Sequence, residues 1–237
     1  MRIISLNLWH GKLRAPLANY LSNAAASTDI FCFQEADLAT RDYLRPSFPG
    51  FRELASDRAG DRHSAKSIVT YVKTPLVKVH SFQTITTPAG SLVTHLQLEA
   101  GHSVFALCNV HGISYHGIDS KLDDPNRVAQ TKAILDFYRN ADTPVVIVGD
   151  FNMLPEANSI RAFAQAGYRN LITDHHIKTT RNHYAWDLFP GSPQYFADFA
   201  FLSPDLKPDS FTIPQDLVSD HQPMVIDLAI PVPARVL

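Results

Sequence analysis

The chain has 237 residues, a formal net charge of -2, 45% hydrophobic residues and 19% charged residues. That composition excludes wholesale disorder, and the length allows a sizeable core without disulfide staples. The near-neutral charge supplies no broad field for polyanions, which argues against nonspecific coating of nucleic acid. One domain is expected over residues 1–230, followed by a short tail at 231–237. The two cysteines, Cys32 and Cys108, sit in apolar runs and read as buried free thiols in strands. No stretch approaches the ~20 apolar residues of a membrane span. Met1-Arg2 leads directly into a strand-like run with no signal-peptide core, so a cytoplasmic setting is expected.

Ile3, Ile4, Leu6 and Leu8 form a β-like start. Leu17, Tyr20, Leu21 and Ala24 then repeat at helical spacing. The apolar run 30–33 stops abruptly at Gln34-Glu35, and Asp37 can cap a short helix that must end near Pro46. Segments 67–72, 76–82, 91–98 and 103–110 are apolar and β-branched, with Pro- and Gly-containing breaks between them. The charged segment 56–63 reads as a solvated loop. Asp124-Pro125 opens the clearest helix, because Asp is a good N-cap and Pro suits the first helical position. Val128, Thr131, Ile134, Leu135 and Tyr138 give that helix one face. A fully apolar strand at 145–148 ends in Gly149-Asp150-Phe151-Asn152. Pro155 is expected to start another helix, closed by Gly167, and two more strands fall at 196–202 and 224–230. Strands outnumber helices, and continuous apolar strands must be covered on both faces. Two packed sheets with helices outside, an α+β arrangement, satisfy that requirement.

The informative feature is where polar residues interrupt these strands. Asn7, Glu35, His111, Asp150 and Asn152 each follow an apolar strand, and Asp220-His221 precede the last one. Asp198 lies inside the apolar run 196–201. Each residue alone has a plain structural explanation: a strand-end surface group for Glu35, a helix cap for Asp150, a satisfied core histidine for His111. Burying a carboxylate costs several kcal/mol unless it is paired or binds a metal, so Asp198 is the strongest single anomaly. Together these residues describe one edge of a sandwich. Glu35, Asp150 and Asp220 are hard oxygen donors that suit Mg²⁺ or Mn²⁺. Zinc-site spacing, a Gly-x-Ser-x-Gly elbow and a phosphate-binding P-loop are all absent. Carboxylates, histidines and asparagines around a divalent ion fit attack of water on a phosphoester.

The ordered set Asn7, Gln34-Glu35, His111, Gly149-Asp150-Phe151-Asn152, Asp198 and Ser219-Asp220-His221 resembles the endonuclease/exonuclease/phosphatase superfamily, the deoxyribonuclease-like fold, in a small stand-alone member of bacterial type. The resemblance spans residue 7 to about residue 230. It implies a four-layer α/β/β/α sandwich of two mainly antiparallel sheets and Mg²⁺- or Mn²⁺-dependent phosphoester hydrolysis. By the same resemblance, Glu35 is the principal metal ligand, assisted by Asn7 and Asp220. Asp150 orients or deprotonates the attacking water, Asn152 binds phosphate, and His111 contacts phosphoryl oxygens. His221 is general base or transition-state stabiliser, and Asp198 hydrogen-bonds it. That pairing would fix the tautomer of His221 and favour its charged form.

Three further residues are candidates for substrate contact: Arg127 on the helix after His111, and Arg181 and Tyr184 in the later loop. Tyr115 and His116 are weaker candidates for the cleft wall, Lys66 carries no assigned role, and His10, His63, His175 and His176 read as loop residues without function. Fold does not choose the substrate. The lack of a basic stripe favours a small or short-chain phosphoester over DNA, with a nuclease acting on DNA or RNA as the alternative. A noncatalytic phospholigand-binding protein is the reading from another class, although every matched position here holds a competent residue. A monomer is expected.

Overall fold

The computed structural model describes residues 1–59, 66–88, 90–115, 121–188 and 194–230. The expected tail at 231–237, together with His63 and His116, lies outside the described residues. One six-stranded sheet contains β1 (Arg2–Asn7), β2 (Ile30–Gln34), β3 (Phe51–Arg58), β4 (Lys66–Lys73), β11 (Pro208–Thr212) and β12 (Met224–Leu228). Its order is β11-β12-β1-β2-β4-β3. The other contains β5 (Val77–Ile85), β6 (Leu92–Ala100), β7 (Ser103–His111), β8 (Val145–Asp150), β9 (Arg169–Asn170) and β10 (Asp198–Leu202), in the order β5-β6-β7-β8-β10-β9. Each sheet is antiparallel except for one central parallel pair, β1 with β2 and β7 with β8.

Alternation along the strands sorts the side chains into layers. Ile3, Ile30, Cys32 and Val72 face the second sheet and join the large core with Leu107, Val146 and Val148. Their neighbours Ile4, Leu6, Phe31, Phe33 and Tyr71 face outward and pack under Leu17 and Leu21 of α1 (Arg14–Ala25) and Leu44 of α2 (Leu38–Leu44). On the opposite side, α3 (Pro125–Tyr138) and α4 (Asn158–Gln165) contribute Ile134, Tyr138, Ile160 and Phe163 to the core. The result is the expected four-layer sandwich with helices outside. Cys32 and Cys108 are both free and buried.

The caps show how local chemistry fixes the helices. Asp37 accepts the Thr40 N–H at 2.9 Å, and Asp124 accepts the N–H groups of Asn126 and Arg127. The helix expected at Pro155 instead begins at Asn158. Its first two free N–H groups are taken by the carboxylate of Asp123, 36 residues away from Ser159 in sequence. A distant cap of this kind has no local sequence signature. Residues 56–58 of the expected loop continue β3, which lies at a sheet edge and is half-exposed, so its charges face water. β11 at the opposite edge was not expected for the same reason.

A buried polar bridge ties the two sheets beneath one end. Asn109 of β7 receives a hydrogen bond from Gln34 at 2.7 Å and donates to the carbonyls of Phe33 and Val69 at 3.4 and 3.3 Å. At the same end the central strands approach closely. A Cβ on Gly149, whose φ is +138°, would lie 2.1 Å from the Val110 carbonyl oxygen. Gly149→Ala should therefore destabilise the protein by about 3 kcal/mol in denaturant titration. Gly50→Ala, at φ +79° in open space, should cost about 1 kcal/mol. Equal losses at the two positions would show that the strand contact is not limiting.

Candidate active site

The strand register explains why the polar termini meet. Asn7 pairs with Gln34, His111 with Asp150, and Asp150 with Asp198. Paired residues point to the same side of a sheet, so each of these continues the inward-facing row of its strand. Past the last apolar layer, the space between the sheets becomes a polar cleft of about 310 Å³. Phe151 turns the other way and packs edge-on against Phe163, Phe199 and Phe201. That anchor fixes the backbone between Asp150 and Asn152.

Asp150 is buried at the centre. Its carboxylate accepts the Asn7 amide at 2.9 Å, the Asn152 backbone N–H at 2.8 Å and the Asn152 side-chain amide at 3.1 Å. Burial alone would raise its pKa, but His221, Lys121 and Arg181 outweigh that and hold it below the usual carboxylate range. His221 stands with Nε2 4.0 Å from Asp150 and Nδ1 2.8 Å from Asp198. Burial pushes the imidazole down, yet Asp198 wins and raises it above its ordinary value. Asp198 has its backbone N–H on the Thr180 hydroxyl at 3.2 Å. The Ser219 hydroxyl donates to the Asn7 carbonyl at 2.7 Å, which brings the Ser219-Asp220-His221 loop to β1. Asp220 pairs with Arg181, whose guanidinium also reaches Gln194 at 3.5 Å.

The structure brings Glu35, Arg127, Asp150, Asn152, Arg181, Asp220 and His221 to the cleft wall. Asn7 and Asp198 stand behind it, holding Asp150 and His221. His111 is buried beside it, with Nε2 3.0 Å from Lys66 Nζ and 3.8 Å from Glu35. Burial and the adjacent Lys66 ammonium hold His111 well below the ordinary histidine pKa, so it is neutral. An ammonium only donates, so Nε2 is the acceptor and the ring proton sits on Nδ1. Arg127 is engaged by the Leu122 carbonyl at 2.7 Å and lies over the Tyr115 ring, which also lines the cleft. Tyr184 does not line the cleft and packs against Trp9, which does, with ring centroids 5.9 Å apart.

Sequence reasoning missed several residues. His10, expected to be a functionless loop residue, has Nε2 3.4 Å from Glu35 and Nδ1 3.1 Å from Asp37. Lys66 and Lys121 are buried at the site, although lysine in a loop or at a strand end normally reads as solvated. The one usable signal was the proximity of His10 to Asn7.

Two donor sets could hold a metal. Asp150, Asp198 and His221 have ligand atoms within 4.8 Å of one another, but both Asp198 oxygens already face His221 Nδ1 at 2.8 and 3.0 Å. Glu35 is different. Among the described residues no N–H or O–H group makes a hydrogen bond to its carboxylate, and its nearest basic partner is 3.4 Å away. A half-buried carboxylate left open on the same cleft wall as Asp220 fits a hard divalent cation, whereas the Asn7 side-chain oxygen already accepts the Trp9 N–H at 2.9 Å. A larger groove of about 830 Å³ between α3 and α4 contains none of the polar strand ends.

Two facing mixed sheets with a carboxylate–histidine cleft at their strand ends define a deoxyribonuclease-like sandwich. The sequence matches the Endonuclease/Exonuclease/phosphatase family over residues 4–221, and the chain belongs to that family. The fold is similar to an endonuclease/exonuclease/phosphatase from Bacteroides vulgatus, with a TM-score of 0.78 at 15% identity, covering 97% of this chain and 98% of that one. It is similar to the mannosyl-6-phosphatase of Bacteroides thetaiotaomicron, with a TM-score of 0.78 at 16% identity, covering 97% and 100%. It is also similar to D. rerio TDP2 complexed with a single-strand DNA product, with a TM-score of 0.71 at 18% identity, covering 95% and 97%. No curated protein matches the sequence at a significant level. No helix among the described residues is long and apolar enough to cross a membrane.

Backbone strain marks the same place. Trp9, His10, Glu35 and Asn152 all have φ between +50° and +55° and all line the cleft. A non-glycine residue held there costs about 1–2 kcal/mol, and such residues gather at functional sites. Glu35→Gly and Glu35→Ala both delete the carboxylate, but only glycine relaxes the backbone. Glu35→Gly should be the more stable of the two by about 1 kcal/mol in thermal melts. Identical melting would show that Glu35 is unstrained.

Proposed function

We propose that this protein is a divalent-metal-dependent phosphoesterase that hydrolyses a small or short-chain substrate by in-line attack of water on phosphorus. The observation that carries this reading is the convergence of Glu35, Asp150, Asn152, Asp220 and His221 in one cleft, with Asn7 and Asp198 behind them. Residues 1–230 act as one catalytic unit, because groups from both ends of the chain complete the site. The chain works as a monomer in the cytoplasm, where its buried thiols stay reduced.

Glu35, Asn7 and Asp220 would hold the ion, which would have to share Asp220 with Arg181 and Ser219 and the Asn7 oxygen with the Trp9 N–H. When bound, Mg²⁺ or Mn²⁺ supplies charge that polarises the phosphoryl group. The protein's own groups do the rest. Asp150, kept ionised by amides and cations, orients the attacking water and accepts its proton. His221, kept protonated by Asp198, meets the negative charge that develops on the phosphoryl oxygens. Asn152 offers N–H donors to the same group and Arg181 lines the same cleft, while neutral His111, with Nε2 accepting from Lys66, positions that ammonium rather than donating itself.

One observation favours the nuclease reading. Trp9 and Tyr184 form an aromatic pair at the cleft, with the Lys12 ammonium 4.1 Å from the Trp9 ring. Aromatic rings beside a basic group suit a stacked base and its phosphate. A metal-supplemented screen over sugar phosphates, phospholipid head groups and oligonucleotides separates the two.

Chelation with EDTA should abolish hydrolysis, and Mg²⁺ or Mn²⁺ should restore it. Asp150→Asn and His221→Ala should each lower kcat by ~10²-fold or more, the usual scale for acid–base groups. Glu35→Gln should move the metal titration to higher concentration. A metal curve unchanged in Glu35→Gln, or full activity in either of the other variants, removes that residue from the mechanism.

A further inference from the structure

Lys121 is a buried basic residue at the cleft that the mechanism above leaves unused. Its side chain belongs to a residue only 6% exposed and lines the cleft with Asp150, Arg181 and Asp220. It is fixed from two sides. Its carbonyl accepts the Leu154 N–H at 3.0 Å, and its ammonium donates to the Phe196 carbonyl at 3.3 Å. An ammonium has three donors, and among the described residues no carboxylate forms an ion pair with this one. Burial and the nearby Arg181 guanidinium act against its charge and outweigh Asp150, Asp198 and Asp220, which favour it, so its pKa falls to about 8.

Two buried cations held close together are costly unless an anion lies between them. The protein's own carboxylates are already engaged. Asp220 pairs with Arg181, Asp198 with His221, and Asp150 with the amides of Asn7 and Asn152. Lys121 shares its field with Asp150, Asp198 and Asp220, and an anion that enters the cleft meets Lys121 and Arg181 together.

We propose that Lys121 is a substrate-binding residue whose ammonium, together with Arg181, receives the terminal oxygens of a phosphomonoester. This deepens the phosphoesterase reading and rests on it. The monoester follows from charge: it carries about -1.5 to -2 at neutral pH, more than a diester, and so answers two cations better.

The test compares wild type, Lys121→Met and Lys121→Arg, each first shown by circular dichroism melting to be folded. Calorimetry in EDTA measures binding of inorganic phosphate, and Mg²⁺-supplemented assays compare p-nitrophenyl phosphate with bis(p-nitrophenyl) phosphate. Wild type should favour the monoester in kcat/KM. Lys121→Met should weaken phosphate binding and raise the monoester KM by about 10- to 100-fold, with a smaller change for the diester, and Lys121→Arg should recover part of the loss. Unchanged phosphate affinity in Lys121→Met, or a wild-type preference for the diester, overturns the proposal. Phosphate binding that depends on Lys121 without hydrolysis of either ester overturns the phosphoesterase reading and leaves the anion site standing.

Discussion

Asp150 is a carboxylate buried between two sheets, and the local structure answers to that charge. An ionised carboxylate in such a place must be surrounded by donors and cations or lose its proton. Its neighbours come from four separate parts of the chain: Asn7 at the end of β1, Asn152 two residues on, His221 before β12, and Lys121 before α3. None of these groups is adjacent to another in sequence. They meet because the register of β7, β8 and β10 sets His111, Asp150 and Asp198 side by side in one inward row. The fold therefore supplies the electrostatic environment as much as it supplies the polar side chains of the cleft.

The same requirement explains the unusual backbone. A cleft that opens at strand ends needs residues that turn sharply while still aiming side chains inward. Glycine makes such turns without strain but carries no functional group. Glu35 and Asn152 occupy left-handed φ and keep their polar side chains, while Gly149 and Gly112 take the positions where backbone crowds backbone. A Cβ on Gly112 would lie 2.3 Å from the Phe151 carbonyl oxygen. Cleft-lining polar side chains hold the left-handed positions and packing holds the glycines. The two kinds of residue alternate along the same short turns.

Legibility from sequence followed burial. Strands covered on both faces, such as 30–33 and 145–148, announce themselves as unbroken apolar runs, and a carboxylate among them is conspicuous. That is why Asp198 and Asp150 were readable. Edge strands β3 and β11 pack on one side only, so charges on their open face imitate a loop. The start of α4 was misplaced because its capping carboxylate, Asp123, belongs to a different loop. Lys66 and Lys121 were invisible for a related reason. A lysine is read as solvated by default, and only three-dimensional packing shows that its stem is enclosed and its ammonium turned toward the cleft.

Charge in this protein acts locally rather than as a field. A net of -2 gives little long-range steering, yet buried basic and acidic groups are packed against one another around a single cleft. Such groups escape much of the salt screening that weakens surface charges, so discrimination inside the cleft depends on where each cation is fixed. Arg181 is fixed by Asp220, Lys66 by His111 and Ser114, and Lys121 by a backbone carbonyl. Arg181 and Lys121 line the cleft itself, and Lys66 stands behind it on His111 and Ser114. Shape and charge are then selected together, and that selection is independent of the overall charge of the chain.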